Sequence, residues 1–148
     1  MAGLGAILAW QFRNAPEDGW SVTLDDNGVA YISTWNEAKM GRTMPTGIEI
    51  QSWNLPATKY FQRRNITRSA DNDYEAVNSI EGDVISMYKD ELLMDIVANR
   101  LSPAANPLNA QQTSRRNQMA SIRASHRNKM TAIDAAITVA AVEAVTWP

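Results

Sequence analysis

One histidine, His126, is the only imidazole in this 148-residue sequence, the side-chain type best suited to acid, base or metal-ligand work. As an acid, base or metal ligand it would need partners, and no His-x-x-x-His or Glu-x-x-His spacing is present. It lies in a stripe of Ile and Met residues, so it reads as an interface or core residue. The carboxylates Asp83, Asp90, Glu91 and Asp95 recur along one stretch, with Asp83 and Asp90 seven apart on a shared helix face. General acid–base pairs work in a concave, partly desolvated site, which an exposed helix face does not supply. With no cysteine, thiolate chemistry and disulfides are excluded. Gly3 and Gly5 open the chain instead of following a strand, and no Gly-x-x-x-x-Gly-Lys is present to cradle phosphate. No catalytic residue, metal set or cofactor is expected, and the chain reads as a binding protein, not an enzyme.

Charge is distributed unevenly behind a net value of −2. Residues 96–133 contain no acid but six bases: Arg100, Arg115, Arg116, Arg123, Arg127 and Lys129. Such a stretch suits phosphate backbone, yet it lacks interleaved aromatics and the whole chain is acidic. Nucleic-acid association through 115–129 is therefore the alternative reading. The favoured one pairs Asp83, Asp90 and Asp95 with Arg116, Arg123 and Arg127, within the subunit or across an interface. Exposed pairs of this kind contribute about 0–1 kcal/mol each, so they set register more than stability.

The elements that would position these residues fall into an α+β arrangement: an N-terminal β-hairpin or small antiparallel sheet, then two long helices. In the β region, residues 1–55, Ala6–Phe12 reads as a strand. Trp20–Leu24 and Val29–Trp35 read as a hairpin around Asp25-Asp-Asn-Gly28, with Asn27-Gly28 suited to a type I′ turn. Trp20, Val22 and Leu24 would share one face, and Val29, Tyr31, Ser33 and Trp35 another. Ile48–Trp53 is compatible with a fourth strand or a short helix. Residues 56–70 read as a connector in which Pro56 opens a short helix.

Residues 71–148 read as helical. Apolar positions from Tyr74 to Leu101 predict a helix over about 72–101, with Asp71 or Asn72 as N-cap. Pro103 and Pro107 bracket a loop. A second helix, about 113–137, carries a single narrow seam of Met119, Ile122, His126, Met130, Ile133 and Ile137. Thr138 is placed to cap a short helix over 139–145. A thin seam implies a partner, and tryptophans are common at binding hot spots. Trp10, Trp20, Trp35, Trp53 and Trp147 join the seam residues as candidate interface positions. The opening run from Met1 to Ala9 lacks a basic leader and no stretch is long enough to span a bilayer, so a cytoplasmic, membrane-free setting is expected.

Three stretches resemble the small proteins encoded beside phage tail-fibre genes. The hairpin around Asp25-Asp-Asn-Gly28, ending in Ile32-Ser-Thr-Trp35 and followed by Pro45-Thr46 and Ile48-Glu49, is similar to the opening of small tail assembly proteins. The helix from Tyr74 onward is similar to helices of tail proteins of the same neighbourhoods. The ending from Ala132 through Val142-Glu143 to Trp147-Pro148 is similar to the C-termini of tail-fibre assembly proteins. The stretch Ser102–Ala110 and the Arg- and Asn-rich helix after it depart from that pattern. The resemblance implies a chaperone or structural accessory of a trimeric tail fibre or baseplate, oligomeric in its assembly. It would be found in the virion tail, or in the host cytoplasm during assembly. No catalytic residues come with it.

Overall fold

A computed structural model describes residues 3–16, 18–78 and 95–148. The class is α+β: a two-stranded antiparallel sheet near the N-terminus is followed by long helices. In order these are α1 (Leu4–Gln11), β1 (Trp20–Leu24), β2 (Ala30–Trp35), α2 (Glu37–Met40), α3 (Gly47–Asn78), a helical segment α4 (95–101), α5 (Ala110–Ala135) and α6 (Val139–Glu143). The chain divides into two compact units. Unit 1 is Met1–Arg64 with Ala132–Thr146; unit 2 is Asn65–Thr131 with Trp147–Pro148. Both α3 and α5 contribute residues to each. This division replaces the β-region, connector and helical-region scheme, because residues 56–70 lie inside α3.

The segment expected as a first strand is the helix α1. Ile7 is its one β-branched residue, and Ala, Leu and Gln around it favour helix. The adjacent residues Ile7 and Leu8 are both buried, which strand alternation does not produce. α1 packs on both strands of the hairpin.

The hairpin forms where the sequence places it, with a different turn. Gly28 N–H donates to Asp25 O at 2.9 Å, and within this turn only Gly28 has positive φ, +76°. Asn27 keeps a negative φ because the Asp25 carboxylate organises the loop. Its Oδ1 accepts from Asn27 N–H at 2.9 Å and Val29 N–H at 2.7 Å. The result is a three-residue connection with a left-handed glycine in place of a type I′ pair. A bulge between Ser21 and Val22 then shifts the register, pairing Trp20 with Trp35 and Val22 with Ile32. Ser33 is the extra residue, so Trp35 shares a side with Ile32 and not with Tyr31 and Ser33 as strict alternation predicts. Hydroxyls of Ser21, Thr23, Ser33 and Thr34 form a hydrogen-bonded group on the hairpin, with Ser21 to Thr34 at 2.6 Å.

α3 begins at a capping box. Thr46 Oγ1 accepts from Glu49 N–H at 3.3 Å, and Glu49 Oε2 accepts from Thr46 N–H at 2.8 Å. Arg42 Nη2 donates to the other Glu49 oxygen at 2.6 Å. This start resolves Ile48–Trp53 as helix and puts Pro56 inside it. Pro56 has no N–H, so the Ser52 carbonyl has no i+4 backbone donor, a cost the rest of the helix carries. With no breaker between Arg64 and Asp71, the helix runs on and Asp71 and Asn72 are interior residues instead of N-caps. α5 likewise starts three residues earlier than predicted. Asn109 Oδ1 accepts from Gln112 N–H at 2.8 Å and Gln112 Oε1 accepts from Asn109 N–H at 2.9 Å, a second reciprocal cap. Thr138 caps α6, its Oγ1 accepting from Ala141 N–H at 3.1 Å.

The Glu49 cap makes two expectations. Thr46→Ala removes one partner and should lower stability by about 1 kcal/mol, read by thermal denaturation. The Thr46 backbone N–H first, then the Arg42 guanidinium, hold the Glu49 carboxyl below the ordinary glutamate value. A depressed carboxyl contributes stability that is present above the unfolded value and lost as pH falls through the folded one. Acidification should therefore loosen the first turn of α3, seen as faster amide exchange at Glu49 and Ile50. Glu49→Gln should remove that acid dependence; an unchanged acid profile in the variant would place its cause elsewhere.

Burial is sparse. In unit 1 the buried apolar residues include Ile7, Leu8, Ala57, Ile133 and Val142, and buried Thr58 is satisfied by donating to Asn54 Oδ1 at 3.3 Å. Lys59 Nζ donates to Asp134 O at 2.8 Å, Gln62 Nε2 to Val145 O at 2.5 Å, and Arg63 pairs with Asp134. These contacts fasten 132–146 to α3. In unit 2, Ile66, Ala70, Ile96 and Met119 are buried, with Tyr74, Val77 and Leu108 packed against the Ile96–Met119 cluster.

Candidate functional site

Within unit 2, α3 and α5 run antiparallel. Thr67 meets His126, and Tyr74 packs on the cluster containing Met119. Thr67, Ala70, Asp71 and Tyr74 are spaced three, one and three, so they occupy one face of α3. Ile122, Arg123, His126 and Arg127 do the same on α5. Together the two faces line a groove of about 260 Å³. Its floor is apolar: Ala70 is buried and Ile122 half-buried. Thr67 Oγ1 and His126 Nε2 share a 3.0 Å hydrogen bond, whose donor is set by the ring tautomer. This bond fixes the imidazole between the helices.

The rim is cationic. Arg123 and Arg127 are exposed and four residues apart, and among the described residues neither is in an ion pair. Among the described residues, Asp71 is the one carboxylate on the groove. A guanidinium presents a planar fork that suits oxyanions. Arranged over an apolar floor, two of them can hold a group that is acidic at one end and apolar at the other. Among the described residues no group of three or more His, Asp or Glu is placed to hold a metal ion. Compared with protein-family models, curated proteins and solved structures, the chain matches none.

A second cluster lies in unit 1. The Phe12 ring meets Trp35 and Trp53 edge to face, with centroids 5.3 and 5.6 Å away. The Arg42 guanidinium sits over Phe12 and Trp53 at 5.9 and 5.6 Å. Trp35 Nε1 donates to Arg42 O at 2.9 Å, and Glu49 holds the guanidinium from the other side. Arg42 fills the aromatic cluster, which anchors the start of α3 to the hairpin.

The remaining candidate residues are scattered. Met119 and Ile133 are buried in units 2 and 1, Ile122, His126 and Met130 are half-buried, and Ile137 is 85% exposed. The helix ends at Ala135, which takes Ile137 out of the seam. Trp10 and Trp20 are half-buried, and Trp147 Nε1 donates to Asp73 Oδ2 at 2.6 Å. Of the charge-pairing set, Asp83 and Asp90 lie outside the described residues. Asp95 accepts from Gln112 Nε2 at 2.5 Å, and Arg116 donates to Asn99 Oδ1 at 3.3 Å. Both therefore bond to amides.

Sequence reasoning missed Thr67, Ala70, Asp71 and Tyr74 as a set, because a helix boundary was drawn through them. It also missed Phe12 and Arg42. The Thr46-x-x-Glu49 and Asn109-x-x-Gln112 pairs were available as signals for both helix starts.

Proposed function

We propose that this chain is a protein-binding accessory of a tailed-phage tail, acting on a trimeric fibre or baseplate protein as a virion component or assembly chaperone. Its work is recognition, carried out without catalysis, in the virion tail or in the host cytoplasm during assembly. The observation that carries this reading is the sparse burial of α5. Of its 26 residues, only Met119 and Ile133 are buried. Isolated helices owe most of their stability in proteins to packing of an amphipathic face, so a helix this lightly packed gains from a second surface. Large apolar side chains elsewhere are exposed, among them Leu24, Val29 and Tyr31 at the hairpin end and Leu101 at the end of α4. The three resembling stretches supply the tail context.

The test is co-expression with a tail-fibre protein from the same source, together with mass spectrometry of purified virions. A fixed ratio to the fibre makes the chain a structural component. Absence from virions, with a fibre that is insoluble unless co-expressed, makes it a chaperone. A fibre indifferent to the chain, and virions without it, would sink the reading. Nucleic-acid association through 115–129 is the second reading, motivated by Arg123 and Arg127 standing side by side. It requires salt-dependent retention on DNA that Arg123→Gln/Arg127→Gln abolishes.

A further inference from the structure

We infer that the groove between α3 and α5 in unit 2 binds an acidic, apolar peptide segment of a protein partner. An apolar side chain seats on Ala70 and Ile122, and a neighbouring carboxylate lies against Arg123 and Arg127. The inference rests on the reading of this chain as a protein-binding accessory and specifies the chemistry its partner must present.

Three observations select this occupant. The first is charge. Two exposed guanidiniums stand on one helix face with no ion pair among the described residues, in a stretch, 96–133, that contains no acid. A carboxylate is the complement that planar forks take up with most geometric fit. The second is size. At about 260 Å³ the groove lies just under the roughly 300–1,000 Å³ typical of drug-sized or cofactor ligands. It suits one or two anchoring side chains of a longer segment laid along the helices.

The third observation separates a peptide from a nucleic acid. Single-stranded nucleic acid is held by free aromatic faces along a basic track. Tyr74 is the aromatic residue in the groove, and it packs against the Ile96–Met119 cluster. Asp71 on the rim repels a closely spaced run of phosphates, while a peptide can direct its carboxylate to the arginines and away from Asp71.

The experiment uses the full-length, nitrogen-15-labelled chain and an acetylated, amidated hexapeptide alternating leucine with glutamate. The expected result is amide shifts gathered on Ala70, Ile122 and Arg123. Binding should weaken by about tenfold or more when every glutamate is glutamine, the loss expected for charge-assisted hydrogen bonds. Arg123→Gln/Arg127→Gln should show the same loss with its spectrum otherwise preserved. Ile122→Ala, which keeps both charges, should weaken both peptides alike. Equal binding of the glutamate and glutamine peptides, or no groove shifts at millimolar peptide, would overturn the inference. So would tighter occupancy of the groove by a single-stranded oligonucleotide. Fibre that co-purifies equally with wild type and the arginine double variant overturns the groove while leaving the tail reading intact. Selective glutamate-peptide binding by a chain that captures no fibre supports the groove and removes the tail reading.

Discussion

Ile133→Ala is expected to destabilise the chain by about 2–5 kcal/mol, and Ile137→Ala to change it by no more than about 0.5 kcal/mol. Both residues belong to the same sequence stripe, one helical turn apart, and both deletions remove the same atoms. The difference lies in surroundings. Ile133 is wholly buried in unit 1, whereas Ile137 is 85% exposed beyond the end of α5. Truncating Ile133 leaves a cavity that its neighbours fill only in part, and the lost dispersion contacts add to the transfer term. Truncating Ile137 exchanges one solvated side chain for a smaller one. Urea unfolding followed by far-ultraviolet circular dichroism measures both. Equal costs would mean that Ile137 is covered in the free chain.

Met119→Ala is the second large effect, again about 2–5 kcal/mol. Met119 is 2% exposed and shares its cluster with Ile96, while Tyr74, Val77 and Leu108 close around it. The cluster gathers side chains from α3, α4, α5 and the loop before α5, so its loss should loosen all of them. Hydrogen exchange should report reduced protection around Ile66, Ile96 and Met119. Met119→Leu, which conserves volume, should cost less than about 1.5 kcal/mol. If leucine and alanine prove equally damaging, shape at this position matters more than cavity volume. Because the chain has two compact units, exchange resolved by residue is the safer readout than a single unfolding midpoint.

The class of fold was legible because its signals are local: the alternating strands around Gly28 and the helical spacing of α5. Boundaries were less legible where two local rules competed. Asp71 and Asn72 are good N-caps in isolation, but a helix already under way from the Thr46–Glu49 box has no reason to restart there. Pro56 reads as a helix opener, yet nine residues of established helix precede it and absorb the missing hydrogen bond. Asn27-Gly28 favours a type I′ turn until the Asp25 carboxylate takes the Asn27 and Val29 amides. The apolar run of α1 has no helical periodicity of its own, and its state is decided by packing on the hairpin. The groove's α5 side was visible as the stripe through His126. Its α3 side was not, because the cap-type residues Asp71 and Asn72 between Thr67 and Tyr74 disguise one continuous helix as two segments.

The order in which the two units become complete follows from how they are threaded. Unit 2 is drawn almost wholly from one continuous run, Asn65–Thr131, whereas unit 1 joins Met1–Arg64 to Ala132–Thr146. On a translating ribosome the hairpin and the first half of α3 emerge early, but Ile133, Asp134 and Val142 arrive only after the run Asn65–Thr131. Until then the nascent unit 1 lacks two of its buried side chains and the acceptors for Lys59, Gln62 and Arg63. Unit 2 can gather its cluster first, and its closure shortens the loop that the late segment must bridge. Vectorial synthesis therefore leaves Lys59, Gln62 and Arg63 of α3 without these partners until the late segment emerges, and a chain stalled before it would keep them exposed.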